Sequence, residues 1–300
     1  MRIEVKDLSY SYGESKALKN PALSGVSLTI EEGEFFGIIG HTGSGKSTFV
    51  QHLNGLIKPQ KGCGSVTVGD FNLTDKKCDF NALRSRVGMV FQYPEYQLFA
   101  ETVFEDVAFG VKNFMPEKTE QEIEIMVKDA LETVGLNYER IKDVSPFELS
   151  GGQKRRVAIA GVIVTKPEIL VLDEPAAGLD PLGKEEIMRL LHDIHAKWCK
   201  TVIIVSHDMD EIAENCTKAA VFSGGKVIAS GTPKEIFASQ QLVEEMGLDT
   251  PFTAKLTYAL AKQGVVISSD LSRLDFIKKL LEYAKTAGAG TDITGGGANV

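Results

Sequence analysis

The 300-residue sequence lacks an apolar run long enough to cross a membrane. Its longest uninterrupted apolar stretch, Val157–Val164, falls well short of the roughly 18 residues that a membrane-spanning helix needs. The chain also opens with the charged segment MRIEVKD rather than with the apolar core of a secretory leader. We therefore expect any membrane association to come through a partner protein.

The sequence also lacks an excess of positive charge, and it contains few cysteines. The formal net charge of −8 argues against a general nucleic-acid-binding protein, which would carry a basic surface. Cysteines without the paired spacing of metal sites or disulfide frameworks suit a reducing compartment. The four in this chain are Cys63, Cys78, Cys199 and Cys216. The hydrophobic content of 43% is ordinary, so the chain can form one large α/β domain or a domain with an appendage.

The sequence does contain a phosphate-loop pattern, GHTGSGKST, at Gly40–Thr48. Its glycines allow a tight turn in which successive backbone amides point at a phosphate without a Cβ in the way. Lys46 supplies a positive charge for the β- and γ-phosphates, and Ser47 supplies a hydroxyl for Mg²⁺. The run FFGII before the loop predicts a buried strand, and STFVQHLNGLI after it predicts a helix whose N-terminus favours anions. These features predict a nucleotide site.

Two further predicted strands end in groups suited to nucleotide hydrolysis. The apolar run Ile169–Leu172 leads to Asp173 and Glu174, at the strand end where open α/β sheets bind ligands. Asp173 can hold hydrated Mg²⁺, and Glu174 can orient or deprotonate the attacking water. His207 follows the run Thr201–Val205, from which it can reach the γ-phosphate.

The segment LSGGQ, at Leu149–Gln153, places two glycines at the start of a predicted helix. Ser150 is a suitable N-cap. Each glycine, however, costs about 1 kcal/mol of helix stability relative to alanine. A local cost of this kind suggests that the exposed backbone amides of Gly151 and Gly152 meet an anion.

The periodicity of apolar residues predicts an α/β fold, with strands around the phosphate loop and helices between them. Predicted strands are Ile3–Tyr10, Val26–Ile30, Phe35–Ile39, Ser65–Val68, Val87–Phe91, Ile169–Leu172, Thr201–Val205, Ala219–Phe222 and Lys226–Ala229. Predicted helices are Val103–Val111, Thr119–Val134, Gly183–Trp198, Lys234–Gln240, Phe252–Gln263 and Leu274–Lys285. Tyr12, next to the first strand, fits a surface aromatic beside a turn and an adenine-stacking platform equally well.

Together these motifs resemble the ATPase subunit of ATP-binding cassette (ABC) transporters, over about Met1 to Phe237. The loop GHTGSGKST, LSGGQ and ILVLDE occur in this family in this order. The resemblance implies a P-loop NTPase core with an antiparallel β subdomain, an inserted α-helical subdomain at about 93–165 and a small helical C-terminal extension. The expected nucleotide-binding domain covers 1–232 and the extension 233–286. The polar, glycine-rich tail at 287–300 is expected to be disordered.

The resemblance also implies roles for single residues. Gln92 matches the glutamine that contacts Mg²⁺ and faces the membrane subunit, Asp180 matches the D-loop acid, and Tyr12 matches the adenine-stacking aromatic. The implied catalytic residues are Lys46, Gln92, Glu174 and His207, and the implied Mg²⁺ ligands are Ser47, Gln92 and Asp173. The implied ATP-binding residues are Tyr12, Gly40, His41, Thr42, Gly43, Ser44, Gly45, Lys46, Ser47 and Thr48, with Ser150, Gly151, Gly152 and Gln153 acting on the ATP of a partner subunit.

Finer features resemble the A subunits of energy-coupling factor importers, which are two-ATPase modules that drive uptake of vitamins or transition-metal ions in prokaryotes. These features are YPEYQLFAETVFEDVAFG after Gln92, PFELSGGQ, RRVAIAG and EPAAGLDP. The long segment between Tyr12 and Val26 resembles the second of the two A subunits. The implied partners are a second ATPase subunit, in a heterodimer or a homodimer, a transmembrane coupling subunit and an integral substrate-binding subunit. The implied location is peripheral, on the cytoplasmic face of the membrane, with ATP and Mg²⁺ as ligands and no nucleic acid.

Other interpretations remain at this stage. A conventional ABC importer or exporter would share the same motifs. Chromosome- or repair-type ATPases insert long coiled coils or zinc modules between the phosphate loop and LSGGQ, and this sequence has no such insertion. A small-molecule kinase would use the phosphate loop but would not explain LSGGQ or His207. Glu95 and Glu101, near Gln92, either pair with arginines of a membrane subunit or are plain solvated acids.

Overall fold

The computed structural model describes residues 1–13, 21–238, 240–268 and 271–288, and strands of these residues form two sheets. In chain order the strands are β1 (Ile3–Tyr10), β2 (Leu23–Ile30), β3 (Phe35–Gly40), β4 (Ser65–Val68), β5 (Phe71–Asn72), β6 (Val87–Val90), β7 (Ile169–Asp173), β8 (Thr201–Val205), β9 (Lys218–Ser223) and β10 (Lys226–Gly231). The smaller sheet has the order β2-β1-β4-β5 and the larger one β10-β9-β3-β8-β7-β6.

The two sheets differ in strand direction. In the small sheet β1 pairs antiparallel with both neighbours, with Ile3 opposite Ile30 of β2 and Val68 of β4. In the large sheet β9, β3, β8, β7 and β6 run parallel, and β10 closes the edge as an antiparallel hairpin with β9. The carboxyl ends of β3, β7 and β8 therefore meet at one edge of the sheet, which is where open α/β sheets bind ligands.

Helices follow β3, β5, β6, β7, β8 and β10 in the described residues. They are α1 (Lys46–Leu53), α2 (Phe80–Arg86), α3 (Val103–Phe114), α4 (Glu120–Thr133), α5 (Tyr138–Ile141), α6 (Gly151–Ile163), α7 (Pro181–Lys197), α8 (Met209–Asn215), α9 (Pro233–Ile236), α10 (Gln240–Glu245), α11 (Phe252–Lys262) and α12 (Arg273–Gly288). Short 3₁₀ turns at Pro94–Gln97 and Pro146–Glu148 precede α3 and α6. Over the part of the chain that the structure describes, no helix is both long and apolar enough to cross a membrane.

Strand β3 separates two apolar cores. Its side chains alternate, so that Phe36 and Ile38 face the small sheet and α1, while Phe35 and Ile39 face the helices α3 to α8. All four side chains are almost fully buried. A strand buried on both faces reads as a continuous apolar run, which explains why FFGII predicts it so clearly.

The helices after β10 pack back onto the sheet edge rather than extending away from it. Phe237 and Ala254 belong to the main core, and the amide of Phe252 donates to Asp210 of α8 at 2.8 Å. Arg273 of α12 pairs with Glu214, also of α8, at 2.6 Å. These contacts bring the segment between α10 and α11 to the ligand-binding edge of the large sheet.

The structure agrees with most predicted elements and corrects some of them. The predicted single helix Lys234–Gln240 is wrong. The bonds from the Phe237 and Ala238 amides to the carbonyls of Pro233 and Glu235 close a turn, so that α9 and α10 are separate. The short helices α2 and α8 were not predicted. Helix α12 continues to Gly288, and the rest of the predicted tail lies outside the described residues.

Candidate nucleotide site

The phosphate loop connects the end of β3 to the start of α1. Gly40 has φ 145°, and a Cβ there would lie 2.1 Å from the carbonyl oxygen of Phe222. Gly45, the N-cap of α1, has φ 103°, and a Cβ there would lie 2.5 Å from the carbonyl oxygen of Ala22. Both positions therefore require glycine for reasons inside this chain, and the loop opens onto the N-terminus of α1.

Lys46 is buried within this loop. Its ammonium donates to the carbonyl oxygens of Gly40 at 2.6 Å and His41 at 2.9 Å. Burial lowers the pKa of Lys46, while the carboxylates of Glu174 and Asp173 act in the opposite direction. The loop thus holds a desolvated cation in place with its own carbonyls, and a bound phosphate group would accept a charge-assisted hydrogen bond from it.

Asp173 and Ser47 form the part of the site that fits Mg²⁺. Asp173, at the end of β7, is buried; burial raises the pKa of its carboxyl, and a hydrogen bond from Ser47 opposes this rise. No group of three or more His, Cys, Asp or Glu side chains able to hold a metal occurs among the described residues. One carboxylate and one hydroxyl nevertheless match Mg²⁺, which binds through few protein oxygens plus phosphates and water.

The carboxylate of Glu174 contacts two other predicted catalytic residues, Gln92 and His207. Gln92 Nε2 donates to Glu174 Oε2 at 2.9 Å, and His207 Nδ1 lies 3.1 Å from Glu174 Oε1. Glu174 has φ 50°, a left-handed conformation that a non-glycine residue adopts at a cost of about 1–3 kcal/mol. Its amide donates to the carbonyl of Val205, so the ends of β7 and β8 hold this conformation.

The segment around His207 is fixed from behind by residues that the sequence motifs do not include. Ser206 donates to Glu211 of α8, and the amide of Asp208 donates to Ser206 Oγ at 3.0 Å. Asp208 pairs with Lys184 of α7 at 2.9 Å. The imidazole itself is 70% exposed, so it is free to contact a ligand while its backbone is held.

Tyr12 contacts the first turn of α1. Its hydroxyl lies 3.1 Å from Thr48 Oγ1, and its ring meets Tyr10 edge to face with centroids 5.0 Å apart. The side chain remains 50% exposed. One ring face is therefore available to stack on a base, as the resemblance implies.

A cavity of about 710 Å³ joins these groups. It is lined by Tyr12, Ala22, Gly40, His41, Thr42, Gly43, Gly45, Lys46, Ser47, Thr48, Gln92, Asp173, Glu174, His207, Met209, Leu248 and Asp249. Leu248 and Asp249 come from the segment between α10 and α11, and a Cβ on Gly247 would lie 2.9 Å from His41 Nε2. Sequence motifs did not predict these residues, because their approach depends on packing of the C-terminal helices.

Ser44 is the one predicted loop residue whose side chain does not line the cavity. Its hydroxyl is buried and has no hydrogen-bond partner among the described residues, and its amide donates to the His41 carbonyl at 3.1 Å. A Cβ on Gly40 would lie 2.9 Å from Ser44 Oγ, so the side chain turns into the loop. The backbone of Ser44, rather than its side chain, is therefore the part of this predicted ATP-binding residue that can face a phosphate.

The signature segment lies apart from the cavity. Ser150 and Gln153 form a capping box at the start of α6, with Ser150 Oγ accepting from the Gln153 amide at 3.3 Å. A Cβ on Gly151 or Gly152 would meet nothing within 4 Å among the described residues. Asp180 caps α7 through a bond from the Gly183 amide at 2.8 Å. None of these residues lines the cavity.

The sequence left two alternatives for Glu95: pairing with an arginine of a membrane subunit, or plain exposure to solvent. The structure instead pairs it with an arginine of this chain. Arg155 of α6 donates to its carboxylate, with Nε 3.3 Å from Oε2. Arg155 also donates to the carbonyl oxygen of Ala177 at 2.9 Å. Glu101 is exposed.

Known proteins are similar to this chain in sequence. The ABC transporter family model matches residues 23–177. The chain belongs to the ABC transporter family. It is 50% identical over 280 residues to the energy-coupling factor transporter ATP-binding protein EcfA2 of Clostridioides difficile (strain 630). The aligned residues cover 93% of this chain and 96% of that protein.

Solved structures of ABC proteins agree. The structure of cbiO1 from Clostridium perfringens, described as part of the ABC transporter complex cbiONQ, matches with a TM-score of 0.70 and 39% identity over 85% of this chain and 98% of that one. A dimeric post-hydrolysis state of the ATP-binding cassette MJ0796, bound to ADP and Pi, matches with a TM-score of 0.67 and 30% identity over 76% and 97% of the two chains. The predicted α/β P-loop fold, the ABC ATPase activity and the resemblance to the second energy-coupling factor ATPase are thereby confirmed.

Proposed function

We propose that this ABC ATPase binds and hydrolyses ATP as a subunit of an energy-coupling factor importer. The nucleotide-binding domain at 1–232 would supply one half of each ATP site, and the helices at 233–286 would extend it. A second ATPase subunit would supply the other half. The imported substrate would be a vitamin or a transition-metal ion, which this chain would never touch.

One observation carries this proposal. The phosphate loop, Asp173, Glu174 and His207 meet at one cavity, whereas Ser150–Gln153 presents a helix N-terminus to solvent, away from that cavity. The amides of Gly151 and Gly152 fit an anion, and the nucleotide of this chain cannot be the one they bind. A partner's ATP satisfies both requirements. Two chains facing each other would then enclose two ATP molecules, and loss of a γ-phosphate would open the interface.

The arrangement around Glu174 supports hydrolysis. Gln92 and His207 hold the two carboxylate oxygens from opposite sides, so a water displacing either contact lies within hydrogen-bond reach of Glu174. Glu174 takes the water proton as the water oxygen bonds to the γ-phosphorus, and the bond from that phosphorus to the bridging oxygen of ADP breaks. His207 donates to a γ-phosphate oxygen and thereby reports whether this group is present.

Mg²⁺ is the metal that we propose for this reaction. Ser47 and Asp173 would hold it, with Gln92 reaching the same edge of the cavity. When bound, it would neutralise charge that develops on the β- and γ-phosphates. Lys46, next to Ser47 in the loop, would share this task.

A second surface fits the transmembrane coupling subunit. A groove of about 240 Å³ runs beside the segment that follows Gln92, and Phe99 and Phe109 lie along it. These two rings meet edge to face at 4.9 Å and are 59% and 51% exposed, and nearby Tyr96 is 85% exposed. Asp106 fixes the rim by accepting from the Phe99 amide at 2.8 Å. We propose a short amphipathic helix of the transmembrane subunit as the occupant, because exposed aromatic rings beside a groove that also carries polar side chains suit the docking of such a helix.

This docking would place the chain at the cytoplasmic face of the prokaryotic membrane as a peripheral subunit. Purifying the tagged chain from membranes and identifying the proteins that remain bound tests the proposal. We expect a second ATPase, one transmembrane coupling subunit and an integral substrate-binding subunit, and we expect Lys46→Ala to abolish uptake. A permease pair without an integral substrate-binding subunit would instead indicate a conventional importer or exporter.

A further inference from the structure

Arg155 is a buried guanidinium that contacts two other segments of the chain. The residue is only 4% exposed. Its Nε and Nη2 donate to the two carboxylate oxygens of Glu95 at 3.3 and 3.5 Å. Its Nη1 donates to the carbonyl oxygens of Ala177 at 2.9 Å and Pro175 at 3.4 Å. The side chain therefore ties α6 to two loops that are distant in sequence.

Each of these segments belongs to a region that we propose to act in ATP hydrolysis or in binding the transmembrane subunit. Glu95 lies in the 3₁₀ turn Pro94–Gln97, between Gln92 of the catalytic cavity and the aromatic rim of the groove. Pro175 and Ala177 lie between Glu174 and Asp180. Arg155 itself belongs to α6, the helix that begins with the signature glycines. One side chain thus joins the groove, the catalytic loop and the signature segment.

The chemistry of this contact requires arginine. A guanidinium does not lose its proton in proteins, so a buried one must have its donors satisfied. Its planar fork can bond a carboxylate with one edge and carbonyls with another, whereas a lysine ammonium acts as a single point charge. Arg156, the next residue, offers a comparison: it donates to the Val134 carbonyl at 2.7 Å and pairs with Glu186 at 2.6 Å, outside the three segments.

We propose that Arg155 is a positioning residue that couples the groove to ATP turnover. A docked helix of the transmembrane subunit that shifts the 3₁₀ turn moves Glu95, and the guanidinium transmits that displacement to the carbonyls before Asp180 and to α6. The groove rim, the loop after Glu174 and the signature segment then move together. This inference rests on the proposed docking of a short helix of the transmembrane subunit in the groove.

The test is steady-state ATP turnover and uptake by the assembled transporter in lipid vesicles, with Arg155→Lys and the matched control Arg156→Lys. Arg155→Lys keeps the positive charge but loses the fork, so we expect kcat to fall about 10-fold with uptake, while the KM for ATP stays within about 2-fold. The control should stay within about 2-fold of wild type in both constants. Glu95→Gln should lower kcat less, and adding it to Arg155→Lys should have little further effect, because the pair is already broken.

Two outcomes would overturn the inference. One is wild-type kcat and uptake for Arg155→Lys. The other is a loss of kcat that only matches a loss of folded protein, measured by thermal unfolding, since that result indicates a structural role. If the lysine variant does not assemble, Glu95→Gln decides the matter by the same criteria. Phe99→Asp tests the docking separately: copurification of the transmembrane subunit with this variant would contradict the groove, whatever Arg155→Lys does to turnover.

Discussion

The phosphate loop and the signature segment both place glycines at the start of a helix, but their surroundings differ. At Gly40 and Gly45 a Cβ would collide with backbone carbonyls at 2.1 and 2.5 Å. At Gly151 and Gly152 a Cβ would meet nothing within 4 Å among the described residues. Packing inside this chain therefore explains the first pair of glycines and leaves the second pair unexplained.

The difference indicates what the second pair is for. Glycine in the first turn of a helix lowers stability, and here no neighbour within the described chain requires it. A close approach by a group from outside the chain would require it. The proposed ATP of a partner subunit is such a group, since helix N-termini bind phosphates. The difference supports our proposal that the phosphate loop binds this chain's own nucleotide and the signature segment a partner's.

The largest effect is expected for Glu174→Gln, which removes the base and leaves both glycine pairs intact. Turnover should fall about 10³-fold, the scale of lost general-base catalysis, while ATP binding is retained. Because the γ-phosphate persists, the paired ATPases should stay closed around ATP. Phosphate release assays and size-exclusion chromatography with Mg-ATP check both points. Normal hydrolysis by this variant in the assembled transporter would contradict the role of Glu174.

The substitution Gly40→Ala sharpens the comparison from the side of the phosphate loop. The left-handed backbone and the contact with the Phe222 carbonyl should together cost about 1–3 kcal/mol of unfolding free energy. ATP binding should weaken as the loop distorts. Urea unfolding and equilibrium ATP binding measure the two effects. Unchanged stability would mean that the packing around β9 does not impose glycine at this position.

The matching change in the signature segment, Gly152→Ala, should behave in the opposite way. With open space around it, the new methyl group should leave stability unchanged or raise it by up to about 1 kcal/mol. Turnover by the paired ATPases should nevertheless fall about 10-fold, because the methyl group hinders approach of the partner's phosphate. Urea unfolding and turnover on the same preparation check this. Full activity of this variant would contradict the proposal that a partner's phosphate approaches Gly152 closely.

A smaller effect is expected at Tyr12, which contacts Thr48 in the first turn of α1. Tyr12→Leu should weaken ATP binding by about 1 kcal/mol through loss of stacking, with kcat unchanged. Tyr12→Phe is the matched control, since it keeps the ring and loses only the hydroxyl contact with Thr48. Titration with a fluorescent ATP analogue measures both. Equal loss in the two variants would point to the hydroxyl rather than to the ring.

Sequence reasoning was strongest where local pattern and chemistry coincide. The strand, loop and helix around Lys46 were predictable because β3 is an apolar run, the loop is rich in glycine and a strand–loop–helix unit is local. The capping box at Ser150 is likewise local. The resemblance placed Gln92 and His207 in one catalytic site with Glu174, but their hydrogen bonds to its carboxylate were not predicted.

The remaining features depend on packing that sequence patterns do not encode. The approach of Gly247–Asp249 to the cavity results from α11 and α12 docking on α8. The ion pair of Glu95 with Arg155 joins residues 60 positions apart and has no motif of its own. Ser44 turned out to face the loop interior, because the motif fixes its backbone and not the direction of its side chain.

The central claim is that the signature segment of this chain contacts ATP held by its partner. The most direct measurement is the rate at which a maleimide labels the thiol of Ser150→Cys in the assembled ATPase pair, with the partly exposed Cys63 and Cys78 replaced by serine. A second variant adds Lys46→Ala to the labelled chain in a pair whose other subunit keeps an intact phosphate loop, so that only the labelled chain's own loop is disabled. The account predicts that Mg-ATP slows labelling even with Lys46→Ala present. Protection that disappears with Lys46→Ala, or that occurs in this chain without a partner subunit, would contradict it.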